Sequence, residues 1–279
     1  MQPLKTMPGK SPRLLMPLPE AFWGRIRLLE DEPRFIACYP RSGSRWLMMA
    51  LSLMATRRLG QAASMLHEPV GERAPQPLVD ALRGAVVINA HDHPYAYRRH
   101  HPRIIGPTLY RTHDLAGMLE RSDHPVLYLY RQAPAVMFSY CEYSRHVRHQ
   151  PHTGSLEDFC EEKFDSWVDH LECALRQRER GDGRIRLMAY QHDGPFCMEQ
   201  LAMATRFLGL DFDDGECRWG YERLRQVIAQ LNERPGGGWL RGSNRDIATR
   251  FPPALLARIE QRARPLLELA DHYAALDGQ

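Results

Sequence analysis

The segment Tyr39-Pro-Arg-Ser-Gly-Ser-Arg-Trp46 constrains this chain more than any other stretch. It follows a short apolar run, Arg34-Phe-Ile-Ala-Cys38, which has strand character and is broken at Pro40 and Gly43. It precedes Trp46-Leu-Met-Met-Ala-Leu-Ser-Leu-Met-Ala55, which is apolar on nearly every face and predicts a helix buried on all sides. The unit therefore reads as strand, tight turn and helix. A chain that leaves a strand and enters a helix presents unpaired backbone N–H groups and the positive end of the helix dipole. Gly43 lets the backbone approach an anion closely, Ser44 can cap the helix and donate to an oxygen, and Arg41 adds fixed charge. Alone, the segment is as consistent with a plain helix start as with an anion site.

The rest of the chain supplies the context. Ala85–Ile88 and Pro125–Tyr130 read as further apolar strands, with a shorter one at Thr108–Tyr110 and another at Arg184–Met188, entered through a Gly181-Asp-Gly183 turn. Helices are predicted over 156–180, 197–208, 221–231 and 254–276, the last kinked at Pro265. Continuous apolar strands alternating with helices predict one α/β domain, a central parallel sheet flanked by helices. Residues 1–33 read as a proline-punctuated basic leader and 34–279 as the domain.

Composition excludes several classes. The 37 basic and 34 acidic residues leave a net charge of +3, too small to argue for nucleic acid. Six cysteines without paired spacing predict reduced thiols and a cytoplasmic setting. Thirteen histidines include His91, His93, His100 and His101 in one Pro- and Arg-rich stretch, but no HExxH or helical i, i+4 pair points to a metal. No stretch has the length of a transmembrane segment: the longest apolar run is about half a span. Residues Leu14, Leu15, Met16, Phe22 and Trp23 of the leader leave surface contact with a membrane open. Oligomeric state is not legible.

The turn is not a Walker A loop, since a second Gly followed by Lys and Ser or Thr is missing. The strand ending at Tyr130 runs into Arg131, where an ATPase would commonly place a magnesium-binding Asp. These absences point to an α/β protein that grips phosphate without a metal.

With those residues in view, the chain resembles the family of sulfotransferases that use 3′-phosphoadenosine 5′-phosphosulfate (PAPS) and release 3′-phosphoadenosine 5′-phosphate (PAP). YPRSGSRW is similar to the family's 5′-phosphosulfate loop, which implies cofactor contacts from Arg41, Ser42, Gly43, Ser44, Arg45 and Trp46. Val126-Leu-Tyr-Leu-Tyr-Arg131 followed by Ser139 resembles its 3′-phosphate site. Leu109-Tyr-Arg-Thr-His113 resembles a segment whose His is the catalytic base, with Arg111 beside it. Ser166-Trp167-x-x-His170 echoes a helix signature, and Leu187-Met-Ala-Tyr190 with Phe207-Leu-Gly209 matches a later pattern that implies a Tyr190 contact at the adenine-ribose end. Arg241-Gly242-x-x-x-Asp246 resembles a loop that closes on the 3′-phosphate, hinged at Gly236–Gly238. The matches come in family order from residue 34 to about 251.

The resemblance implies transfer of a sulfuryl group from PAPS to a hydroxyl, or to an amine, of a small-molecule or carbohydrate acceptor. It implies Arg41 and Arg111 as charge stabilisers and His113 as base. His91, which also follows a short apolar strand, is a rival base, but His113 stands closer to Arg131 in sequence. Arg41 and Arg111 replace commoner lysines, so they stabilise charge rather than deliver protons. Arg45 replaces a hydroxyl residue, Gln191-His192 an acidic pair, and Ile247 a Trp of the closing loop. Segments 95–103, 141–152 and 236–238 are candidates for the acceptor pocket. Two rival readings stay open: a kinase-like P-loop phosphotransferase, and a nucleotide-binding relative without chemistry.

Overall fold

A computed structural model describes residues 34–64, 86–89, 108–121, 123–145, 151–181, 183–190, 196–233 and 247–277. The leader, His91, the 95–103 segment, Gln191-His192, the Gly236–Gly238 hinge, Arg241, Gly242 and Asp246 lie outside the described residues.

The strands are β1 (Arg34–Cys38), β2 (Val86–Asn89), β3 (Thr108–Thr112), β4 (Val126–Tyr130) and β5 (Ile185–Ala189). They form one fully parallel sheet in the order β2-β3-β1-β4-β5. In register, Ala37 lies opposite Thr112, Cys38 opposite Leu129 and Tyr130 opposite Ala189, so the carboxyl ends of β3, β1, β4 and β5 share one edge.

The helices are α1 (Ser44–Ser64), α2 (Leu115–Arg121), α3 (Ala133–Arg145), α4 (Leu156–Glu179), α5 (Met198–Phe207), α6 (Asp214–Glu233) and α7 (Pro253–Asp277). Side-chain alternation along the strands sends Phe35, Ala37, Tyr128 and Leu187 into a core shared with α2, α3, α4 and α7. Ile36, Cys38, Leu127 and Met188 enter a second core with α1, α5 and α6. Both faces are covered, which accounts for strands that read as unbroken apolar runs.

The helix after β1 therefore lies on one face and the helix after the neighbouring β4 on the other. That makes the gap between β1 and β4 a topological switch point, where the loops diverge and leave a crevice at the carboxyl edge.

Several expectations shift. Helix α1 is longer than predicted and is not buried all round: Leu47, Ala50, Leu51 and Met54 are buried, Trp46, Met48 and Met49 only half so, and Arg45 is exposed. It packs on one face of the sheet and along α6, which covers part of its circumference. Helix α6 starts at Asp214, seven residues before the predicted start. The cause is a reciprocal cap, with the Glu216 N–H donating to Asp213 Oδ1 at 2.8 Å and the Asp213 N–H to Glu216 Oε2 at 3.0 Å. Helix α7, in contrast, runs from Pro253 to Asp277 much as expected, with Pro265 inside it and Ala263, Leu266 and Leu267 buried around it.

Candidate active site

Four strand ends bring the predicted residues to the carboxyl edge. The turn after β1 carries Arg41–Gly43, and His113, Arg131 and Tyr190 each stand directly after β3, β4 and β5.

The turn is tight. Ser42 N–H donates to the Tyr39 carbonyl at 3.2 Å and Trp46 N–H to the Gly43 carbonyl at 2.9 Å, so the Trp46 amide is engaged within the turn itself. Arg41 adopts φ of +71° and Gly43 of +99°. For a residue with a Cβ such a φ costs on the order of 1 kcal/mol, which the surrounding contacts must offset. At Gly43 the requirement is steric as well: an added Cβ would stand 2.1 Å from Cδ2 of Tyr190, whose ring lies on the turn. Tyr190 is fixed by its N–H, which donates to the Tyr130 carbonyl at 2.8 Å. Gln200 Nε2 donates to the preceding Ala189 carbonyl at 3.1 Å.

Arg131 is 5% exposed, and its guanidinium carbon lies 4.5 Å from the Tyr190 ring centroid. Its Nη1 donates to the Arg41 carbonyl at 3.3 Å. Arg41 Nε in turn donates to Ser139 Oγ on α3 at 3.1 Å, and the Arg41 guanidinium lies 5.1 Å from the ring centroid of Tyr143, one turn along the same helix. The predicted 5′ and 3′ ends of the phosphate site are therefore in contact through Arg41 and Ser139.

Burial depresses the pKa of Arg41, and the like charges of Arg45 and Arg131 depress it further. Burial likewise depresses that of Arg131. Both stay charged at any working pH. Cations gathered against one another gain from an anion placed among them. Ser42 is 1% exposed, and its enclosed Oγ has no hydrogen-bond partner among the described residues.

His113 is built differently. Its Nδ1 lies 2.6 Å from the Cys38 carbonyl oxygen, which can only accept, so Nδ1 carries the proton. In the neutral ring the lone pair is then on Nε2, the form a general base requires. The Cys38 thiol lies 3.5 Å from the same nitrogen and donates to Ser44 Oγ at 3.2 Å, tying His113 to the first residue of α1. Burial raises the Cys38 pKa, keeping the thiol neutral. The turn after β3 is closed by Asp114: its N–H donates to Thr112 Oγ1 at 2.9 Å, and its Oδ1 accepts from the Gly117 N–H at 2.9 Å, capping α2. Arg111, in register with Ile36, acts electrostatically on Cys38 and so shares this side of the site.

Some predicted residues fall elsewhere. Cys141 is a buried core thiol, and His152 packs edge-on against Phe159 and donates from Nε2 to the Ser155 carbonyl. Ile247, at the position of the expected Trp, is buried in the core beneath α7. Tyr143 falls in the 141–152 segment expected at the acceptor pocket, and here it meets the Arg41 guanidinium, whereas nothing in the sequence marks Cys38 or Asp114 as part of the site. Only Asp114 left a local signal, an Asp immediately before a short helix.

Among the described residues no helix is long and apolar enough to cross a membrane. Residues 31–232 match the family model described as "Sulfotransferase domain". Sulfotransferase 1 family member D1 of Mus musculus is 22% identical over 205 residues, covering 69% of this chain, and the chain spans 64% of that relative's length. Mouse sulfotransferase SULT7A1, solved in complex with PAP, shares the fold with a TM-score of 0.59 at 15% identity, covering 91% of this chain and 94% of that one. Retinol dehydratase, solved with androsterone and inactive cofactor PAP, gives 0.54 at 15% identity, covering 84% and 80%.

Proposed function

The chain belongs to the sulfotransferase-domain family, and from that membership we propose that it transfers the sulfuryl group of PAPS to a hydroxyl, or to an amine, of an acceptor. The observation that carries this reading is the meeting of Arg41, Arg131 and Ser139 at the β1–β4 switch point, with His113 held in a base-competent tautomer two strands from Arg131. The half-buried Arg41 and the buried Arg131 fit a nucleotide bearing phosphate at both ends.

PAPS supplies an activated sulfuryl group whose leaving group is a phosphate oxygen. Arg41 and the N–H groups of Gly43, Ser44 and Arg45 bind that phosphate, while Arg131 and Ser139, with Arg241 and Gly242 of the closing segment, hold the 3′-phosphate. Tyr190 places the Arg131 guanidinium and bounds the nucleotide from the β5 side. His113 Nε2 takes the acceptor's O–H proton as the acceptor oxygen bonds to sulfur. The bond from sulfur to the bridging oxygen breaks, and its electron pair stays on PAP, where Arg41 stabilises the charge. Arg111 offsets charge on the group in flight. Positioning and fixed charge supply most of the acceleration, as in phosphoryl transfer.

Residues 34–279 form the catalytic unit in this reading, acting on a small-molecule or carbohydrate acceptor in the cytoplasm. The retinol dehydratase structure holds androsterone, an alcohol, which favours a small hydroxyl acceptor. Radiolabelled PAPS offered with a panel of alcohols, phenols, amines and sugars tests this. A labelled product whose mass is that of the sulfated acceptor is expected. Phosphate transfer from magnesium ATP would replace the reading with a kinase-like one, and PAP binding without transfer to any acceptor would leave a binding protein.

A further inference from the structure

His170 lies on α4, 57 positions from His113 in sequence, yet the two are joined. Its Nε2 lies 3.1 Å from the His113 carbonyl oxygen, which can only accept, so Nε2 carries a proton. Its Nδ1 lies 2.8 Å from the Tyr128 hydroxyl, which must then donate to it in the neutral ring. Tyr128, on β4, stacks on the imidazole with centroids 5.4 Å apart, and Tyr39 meets it edge-on at 5.8 Å. His170 is 8% exposed, and burial pushes its pKa down to about 4. The ring is thus neutral, clamped between aromatics and satisfied at both nitrogens.

Contacts among the described residues hold both parts of His113: His170 the main-chain carbonyl, and the Cys38 carbonyl the imidazole Nδ1. The first bond fixes the main chain at the end of β3, and the second fixes the ring carried by it. We infer that His170, set by the Tyr128 hydroxyl, is a positioning residue that orients His113 for proton abstraction. The inference rests on the reading of His113 as the base. It assigns His170 no contact with donor or acceptor, so its loss should act on turnover and not on nucleotide binding.

The test compares His170→Leu, His170→Gln and Tyr128→Phe with the parent, all assayed well below the lowest Tm. His170→Leu should lower kcat by about tenfold to a hundredfold, the scale set by a base displaced by about an ångström, with the Kd for PAP within twofold. His170→Gln, whose amide can donate to the His113 carbonyl and whose oxygen can accept from Tyr128, should recover kcat to within about threefold of the parent. A kcat for the leucine variant within twofold of the parent, or a glutamine variant no faster than leucine, overturns the inference. If the leucine variant fails to fold, Tyr128→Phe decides, with a kcat loss of about threefold expected and an unchanged kcat contradicting it. A second arm needs no turnover: nitrogen NMR of labelled histidines should show His113 as the Nδ1–H tautomer in the parent and as averaged tautomers in the leucine variant, or in Tyr128→Phe if leucine does not fold. If the parent transfers to no acceptor, the sulfuryl-transfer reading fails, and this arm alone decides whether His170 positions His113: an unaltered spectrum ends the inference.

Discussion

The two halves of the site are held in opposite ways. At the ends of β1, β4 and β5, Arg41, Arg131 and Tyr190 are fixed by a strained turn, a ring lying on glycine and guanidiniums near one another. On the β3 side, His113 is fixed by neutral hydrogen bonds to Cys38 and His170 and by a capped turn at Asp114. The first arrangement gathers positive charge that an anion placed there would offset. The second is complete beforehand. A base must keep one lone pair aimed whatever is bound, whereas an anion site gains affinity from charge that only the ligand satisfies.

That contrast breaks most sharply at His113. His113→Ala should lower turnover by about 10²- to 10⁴-fold, the usual worth of a general base. PAP should still raise the Tm of the variant as it does that of the parent. Turnover that survives in His113→Ala but vanishes in a His91→Ala variant would move the base to His91.

Gly43→Ala tests the other half. The new Cβ meets the Tyr190 ring and must adopt a positive φ, so a loss of about 1–3 kcal/mol in stability is expected from urea unfolding. PAP affinity should fall while the His113 tautomer, read by NMR, stays as in the parent. Equal damage to both would show that the halves are not independent.

A smaller effect separates them by pH. His170 is held neutral when folded, with a pKa lowered from 6.5 to about 4. Below pH 6.5 the unfolded chain binds the proton and the folded chain does not, so acid favours unfolding. Stability should fall by up to about 1.4 kcal/mol per pH unit from this group between 6.5 and about 4, and not above 6.5. The parent should therefore lose more stability than His170→Gln as pH drops through that window in parallel urea titrations. Identical pH profiles would contradict the neutral, buried ring.

Sequence made the anion half more legible than the base half. The strand-turn-helix at 34–55, the apolar β4 and its Arg131 are local patterns, and local patterns fix the edge on which the loops gather. Their register, and the switch point it creates between β1 and β4, depends on strand order, which no single segment encodes. Tyr128 looked like one more apolar strand residue, and His170 like one part of a helix signature. Their hydrogen bond spans 42 positions and appears only when α4 packs on the sheet. Pro265 lies inside α7, as expected from the sequence, with Ala263, Leu266 and Leu267 buried around it. The short α2 escaped notice because seven residues offer too little periodicity, and the capping Asp114 was its only mark.

The central claim, that the β1–β4 crevice reads a nucleotide carrying a 3′-phosphate, is tested most directly by calorimetry on a two-by-two comparison. PAP and adenosine 5′-monophosphate, which lacks the 3′-phosphate, are each titrated into the parent and into Arg131→Met. The account predicts that PAP binds the parent at least about tenfold tighter than the monophosphate, a charge-assisted contact being worth about 1.5–3 kcal/mol. Arg131→Met should remove most of that advantage and leave monophosphate binding nearly unchanged. Equal affinities for the two nucleotides in the parent, or an equal loss for both in the variant, would contradict it.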